Sequence, residues 1–255
     1  MRVTFLGTGT SVGVPVITCD CAVCRSPDPR NNRLRAGLLL EWDGACVLVD
    51  TTTDLRQQAL RAELGRVDAV LYTHHHADHV LGLDELRIFN FVHKTTIPLY
   101  GLQETMDAIR STFAYAFDPR ARGVPRLELV PVADPFELRG VTITPVPVEH
   151  HHLTILAYRV GGFAYVTDCS GIPEASAELL GGLDVLVIDA LRRGPHPAHF
   201  TLEQALAEID RLAPRTAYLT HLSHEFDHAA LQDELPEGVH VAYDGLVLEP
   251  AEAAA

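Results

Sequence analysis

Between residues 73 and 79 the chain reads Thr-His-His-His-Ala-Asp-His, four imidazoles and a carboxylate in seven positions. Imidazole and carboxylate together are the ligand set of a divalent metal held for catalysis, such as zinc, manganese or iron. Read as His74-x-His76-x-Asp78-His79, the spacing serves two ions. His74 and His76, two residues apart, share one side of an extended segment, whereas Asp78 and His79 open the next turn and face a second position. Histidine-rich tracts also occur in solvated loops. This one is internal and follows the apolar run Val67 to Tyr72, so it leaves the end of a buried strand.

Two ions require roughly seven protein ligands plus a solvent molecule. The remaining ligands are expected at the ends of later strands. Val141 to Val148 runs into Glu149-His150-His151-His152, Phe163 to Thr167 into Asp168, and Tyr218 to Thr220 into His221. Each polar group stands where an apolar run stops, the usual place for a side chain to enter a site from a rigid scaffold. A pair of cations lowers the pKa of a water held between them from 15.7 towards about 7, and stabilises charge on attacked and leaving oxygens.

A second cluster is sulfur-rich. Three of the five cysteines form Cys19-x-Cys21-x-x-Cys24. An odd count without an export signal favours metal thiolate over disulfide. Tetrahedral zinc needs a fourth ligand, and His224, three residues beyond His221, supplies one. A structural zinc on Cys19, Cys21, Cys24 and His224 would staple the N-terminal loop to the last ligand loop. Cys46 and Cys169, in or beside apolar strands, read as core thiols. The nearby Gly7-Thr-Gly9-Thr-Ser-Val-Gly13 is spaced wrongly for a dinucleotide fingerprint, and Pro15 to Cys24 cannot open the helix that fingerprint needs. It reads as a tight loop bordering the site.

The elements that must position these residues follow from periodicity. Extended apolar segments recur near 2–6, 36–41, 45–49, 67–72, 97–100, 126–130, 141–148, 154–160, 162–167, 183–189, 215–220, 239–243 and 245–248. Helices are expected between them. Asp54 with Gln57 resembles a capping box for a helix closed by Gly65. Met106, Ile109, Ala114 and Phe117 space another, Pro173 begins a third, Thr201 with Gln204 caps a fourth, and a last spans Asp227 to Leu235. Strand runs in each half with helices interspersed predict two mixed sheets packed face to face with helices outside, an α/β unit over 1–250 and a disordered tail at 251–255.

Length and charge narrow the function. A chain of 255 residues with 47 % apolar content can bury a sizeable core. No apolar run approaches the roughly 20 residues of a membrane span, and the N-terminus reads as a strand rather than a secretory signal, so a cytoplasmic location is expected. The formal charge of −14 argues against an extended nucleic-acid footprint and leaves a small anionic substrate, held locally by metal, as the compatible partner. Arg33 and Arg35 are candidate phosphate contacts.

The order His-x-His-x-Asp-His, then His, Asp and His resembles the metallo-β-lactamase superfamily along nearly the whole chain. That resemblance implies a four-layer αββα sandwich with two divalent ions at one edge between the sheets. It implies His74, His76 and His150 on one ion, Asp78, His79 and His221 on the other, and Asp168 bridging, while His75, His151 and His152 support or face solvent. Asp50, ending Val47-Leu48-Val49, looks like the aspartate that orients ligands. The thiolate loop, the leading Gly-Thr-Gly and the His-x-x-His-x-Phe-Asp run at 221–227 further resemble the phosphoribosyl 1,2-cyclic phosphate phosphodiesterase group, relatives of the tRNA 3′-processing ribonucleases. By that resemblance His199, in Pro197-Ala-His199-Phe-Thr201, contacts phosphate or acts as general acid, beside Asp78 and Asp50 in the catalytic set. Relatives also imply a homodimer.

The expected activity is therefore that of a dinuclear phosphodiesterase acting on a small cyclic or nucleotide-like phosphodiester. The Leu191-Arg-Arg-Gly-Pro-His196 run departs from the phosphoribosyl enzymes and leaves the substrate open. A tRNA-processing ribonuclease would need a long basic arm, and a β-lactamase a cysteine at position 168. A glyoxalase II-type thioesterase shares the ligands without needing the thiolate staple. A non-catalytic zinc-holding scaffold is the reading from another class. Nitrogen and oxygen ligands suit zinc, manganese, nickel and iron alike.

Overall fold

A computed structural model describes residues 1–250, so the tail expected to be disordered at 251–255 lies outside the described residues. The strands form two seven-stranded sheets. The first contains β1 (Arg2–Gly7), β2 (Gly37–Trp42), β3 (Ala45–Val49), β4 (Ala69–Leu71), β5 (Ile97–Gly101) and β6 (Leu127–Pro131) in chain order, with β14 (Val247–Leu248) on the outer side of β1. The second runs β7 (Phe136–Leu138), β8 (Val141–His150), β9 (Leu153–Val160), β10 (Phe163–Val166), β11 (Val185–Asp189), β12 (Thr216–Thr220) and β13 (Val239–Val241). In each sheet the early strands pair antiparallel, and β3 to β6 and β10 to β13 pair parallel.

Burial falls in three seams, which makes the architecture the expected αββα sandwich. Phe5, Leu38, Val47, Leu156, Tyr158 and Val187 meet between the sheets. Leu48, Val70, Leu86 and Ile109 pack the first sheet against α1 (Leu55–Arg61), α3 (Leu86–His93) and α4 (Gln103–Thr112). Val146, Leu186, Ala205 and Leu231 pack the second against α5 (Glu174–Leu179), α6 (Leu202–Leu212) and α7 (His228–Glu234). Parallel strands buried on both faces read as continuous apolar runs. Val185–Ile188, fully buried, is such a run.

Several local expectations are corrected. Thr201 and Gln204 do form a reciprocal capping box at α6. The Asp54 carboxylate instead leaves its helix uncapped and accepts from Arg35, at 2.9 Å from the backbone nitrogen and 3.1 Å from Nη1. A guanidinium offers a charge-assisted partner stronger than a helix-end N–H. The first helix ends at Arg61, before Gly65. The run 67–72 yields strand only over Ala69–Leu71. Short α2 (Ala77–Val80) and α3 were not legible, because His79 and Asn90 are buried polar residues that break the apolar stripe. Gly82 has a specific cause: a Cβ there would stand 2.0 Å from the Thr52 carbonyl oxygen, beside the strand end that carries Asp50.

Candidate metal centre

The strand directions explain how distant residues meet. β3, β4, β8, β10, β11 and β12 all carry a polar residue at or just past their C-terminal end, and these ends lie on one edge of the sandwich. Asp50, Asp168 and His221 each follow a strand with positive φ, at 65°, 56° and 55°. Left-handed backbone costs a residue with a Cβ on the order of 1–2 kcal/mol. Here it turns the chain sharply off the sheet, and the side chains of Asp168 and His221 enter the gap between the sheets.

Two groups of donor atoms result. His74, His76 and His150 place ring nitrogens within 4.8 Å of one another, and so do Asp78, His79, Asp168 and His221 with their nitrogens and carboxylate oxygens. Asp168 joins the groups. Its Oδ1 lies 3.4 Å from His79 Nε2, its Oδ2 3.4 Å from His221 Nε2, and it also clusters with His150 and His199. The rings of His74 and His79 stand 4.2 Å apart, centroid to centroid.

The supporting bonds fix which nitrogen is free. Asp50, fully buried, accepts from Thr73 N at 2.9 Å, Thr73 Oγ1 at 2.9 Å and His79 Nδ1 at 2.7 Å. Thr73 Oγ1, its hydrogen given to Asp50, accepts from His74 Nδ1 at 3.0 Å. One carboxylate thus holds a histidine of each group with Nδ1 occupied and Nε2 aimed at the gap. His150 is held likewise, Nδ1 donating to the Ala198 carbonyl at 2.8 Å. The Nε2 atoms of His74, His79 and His221 are buried without a hydrogen-bond partner. Orphaned buried nitrogens beside two carboxylates are costly unless a cation completes them. The donor set therefore fits divalent metal on the structure's own evidence.

Electrostatics agree. Burial drives His74 well below the ordinary imidazole value, and burial also lowers His76 and His150. Burial opposes charge on His79 and His221 too, but Asp168 and Asp78 outweigh it and raise both. Burial likewise opposes charge on Asp168, yet His221 and His79 hold its carboxyl well below the usual range.

His199 stands at the mouth, its ring 4.9 Å from those of His150 and His221. It does not cap α6; Thr201 does. Burial, with His221, lowers its pKa to about 4. Behind it lies Asp189, which sequence reasoning missed. Its Oδ2 is 3.4 Å from His199 Nδ1, and burial together with Asp168 raises its carboxyl well above the ordinary value. The signal was present, since Val185–Ile188 is an apolar strand ending in aspartate like the one before Asp50. His75, His151 and His152 join neither group of donors.

The sulfur cluster also assembles. Sγ of Cys19, Cys21 and Cys24 lie 3.2, 3.6 and 3.4 Å from His224 Nδ1. The Cys24 backbone N–H lowers the Cys21 thiol to about 6. Arg33 and Arg35 both have partners within the protein. Arg33 is buried and donates to the Ser223 and Phe226 carbonyls at 3.0 and 2.8 Å, bracing the loop that carries His224. Arg35 is spent on Asp54. No helix among the described residues is long and apolar enough to cross a membrane.

Known proteins are similar to this chain in sequence and fold. The model of the beta-lactamase superfamily domain matches residues 46–222. A solved diphosphatase from the PhnP family is 43 % identical, covers 100 % of this chain and 99 % of its own, and superposes with a TM-score of 0.94. A Porphyromonas gingivalis protein named octanoyltransferase is 41 % identical over 96 % of this chain and 51 % of its own length. A Methanopyrus kandleri ribonuclease Z is 34 % identical over 38 % of this chain and 30 % of its own. The chain thus spans about half the length of the first of these curated relatives and less than a third of the second. With donors, fold and family model in agreement, the chain belongs to the beta-lactamase superfamily, with the metallo-β-lactamase fold and a relationship to ribonuclease Z.

Proposed function

We propose that this protein is a phosphodiesterase that uses two divalent cations on a small cyclic or nucleotide-like phosphodiester. His74, His76 and His150 would hold one cation and Asp78, His79 and His221 the other, with Asp168 shared. The cations would be zinc, manganese, nickel or iron, and a further zinc would sit on Cys19, Cys21, Cys24 and His224. The observation that carries the reading is the pair of donor groups joined at Asp168, with the His199–Asp189 pair one ring away. The likeness to the solved diphosphatase supports phosphoryl chemistry.

When bound, such cations supply a nucleophilic water at neutral pH and stabilise charge on phosphate oxygens. The protein's own groups do the rest. Asp50 keeps the Nε2 atoms of His74 and His79 aimed inward through bonds to Thr73 and His79. Burial raises the Asp189 carboxyl and lowers the His199 imidazole, which favours a proton on the Asp189 side of the Oδ2–Nδ1 contact. With Nδ1 turned to Asp189, Nε2 is the nitrogen of His199 left to meet a leaving-group oxygen. A proton on that pair suits general acid catalysis, worth about 10²–10⁴-fold. The −14 charge favours a small substrate over an extended nucleic acid.

Hydrolysis of an acyl thioester is the second reading, favoured by the octanoyltransferase name of the P. gingivalis relative. That name belongs to a chain about twice as long as the match. Assays of metal-loaded protein with bis(p-nitrophenyl) phosphate, a ribose cyclic phosphate and an octanoyl thioester separate the readings. Phosphodiester turnover abolished by chelation is expected. Thioester turnover alone would replace the reading, and bound metal without either would make the protein a scaffold.

A further inference from the structure

The Leu191–His196 run borders the metal centre and is braced by its own chain. Its base is closed where Arg192 bridges Thr201 and the Leu191 N–H donates to the Phe200 carbonyl at 3.0 Å. Arg192 Nε donates to the Gly194 carbonyl at 3.2 Å and its Nη2 to the Pro195 carbonyl at 2.5 Å. Pro195 and Pro197 flank His196. A proline fixes its own φ and holds the residue before it to extended backbone. The half-buried His196 ring is therefore presented by a stiff segment.

Ala198 sets the state of that ring. Its carbonyl accepts from His150 Nδ1 at 2.8 Å, and its N–H donates to His196 Nδ1 at 3.2 Å. A backbone N–H only donates, so His196 Nδ1 carries a lone pair and the neutral ring keeps its hydrogen on Nε2. Burial, with His199 and Arg192, lowers the His196 pKa in the same sense. Among the described residues Nε2 has no hydrogen-bond partner. The ring stands 4.9 Å from that of His199, which stands 4.9 Å from those of His150 and His221. His196 joins neither group of metal donors, so it lies one ring beyond His199. A donor placed there faces the rest of a leaving group whose oxygen meets His199. An anion is better met by a charged donor, and Arg192 directs two of its nitrogens to the loop's own carbonyls. The match for a neutral N–H is an uncharged oxygen.

We infer that His196 is a specificity-determining residue whose Nε2–H binds a hydroxyl beside the released oxygen, selecting sugar-like leaving groups. The inference rests on the proposed phosphodiesterase reading. Adenosine 5′-phosphate and its 2′-deoxy counterpart, the products of opening a 3′,5′-cyclic nucleotide at O3′, differ only in that hydroxyl. Titration calorimetry of zinc-loaded protein with each reads the contact. The unaltered protein should bind the hydroxylated nucleotide about 5–10-fold tighter, as one neutral hydrogen bond provides. His196→Ala should bring the two affinities together, and His196→Gln, which keeps an N–H donor, should hold most of the difference. A residue that merely shapes the loop would weaken both nucleotides alike. That result would overturn the inference, as would equal affinity or no binding in the unaltered protein. Turnover of bis(p-nitrophenyl) phosphate judges the reaction separately. Turnover without discrimination leaves the reaction standing and removes the contact, whereas discrimination without turnover keeps the contact and removes the reaction.

Discussion

Oδ2 of Asp189 lies 3.4 Å from Nδ1 of His199, and both atoms are buried without a hydrogen-bond partner. Oδ1 of the same carboxylate accepts from the Cys169 backbone N–H at 3.0 Å, which ties Asp189 to the turn carrying Asp168. One strand end therefore sets both the residue proposed to present a proton and the residue proposed to be shared between two cations.

Asp189→Asn removes the carboxylate that favours a proton on His199 while preserving its size. Turnover should fall about 10²–10³-fold, with KM changed little, since the loss falls on the transition state. The alkaline limb of the kcat profile should move to lower pH, because an amide cannot hold the proton that the Asp189 carboxyl would lend to His199. Steady-state kinetics against pH check this. A parallel loss in kcat and metal content would assign Asp189 to metal binding instead.

Asp50→Asn leaves the Nδ1 atoms of His79 and, through Thr73, His74 without their carboxylate. Metal affinity should fall by about 10–100-fold at both positions. Competition with a chromogenic chelator reads the loss directly.

Metal binding should weaken as pH falls. Asp168 and Asp78 raise the pKa of His79 and His221 in the metal-free protein, against the opposing effect of burial. A raised value keeps the protonated, non-coordinating form to higher pH, so each cation must expel protons as it binds. The logarithm of apparent affinity for the Asp78, His79 and His221 position should rise with pH by about two per unit below the raised values, one proton from each histidine. A slope near zero in titration calorimetry with different buffers would contradict the assignment.

Cys21→Ser should release one zinc equivalent and lower thermal stability, with active-site metal retained. Arg33→Leu tests the same loop without touching a ligand. It strands the Ser223 and Phe226 carbonyls and should cost about 2–6 kcal/mol, each unpaired buried group costing roughly 1–3. Denaturant unfolding and metal analysis of both variants separate the two contributions.

The sandwich was legible because its parallel strands are uninterrupted apolar runs, and the donors because each follows such a run. His74, His76, Asp78, His79, His150, Asp168 and His221 were each expected at a strand end, and the structure brings them to one edge. Asp54 was misread because local spacing cannot show that a guanidinium from another strand competes for its carboxylate. Arg33 was misread because burial of a cation depends on carbonyls about 190 residues away. Asp189 escaped because its role lies in facing His199, a contact fixed by the crossing of β11 and the loop after it. The positive φ at Asp50, Asp168 and His221 leaves no trace in residue type.

The central claim is that two cations share Asp168. Anomalous scattering from crystals soaked in zinc or manganese measures it directly. The account predicts two peaks flanking Asp168, one among His74, His76 and His150 and one among Asp78, His79 and His221. A single peak, or peaks that bypass Asp168, would contradict it.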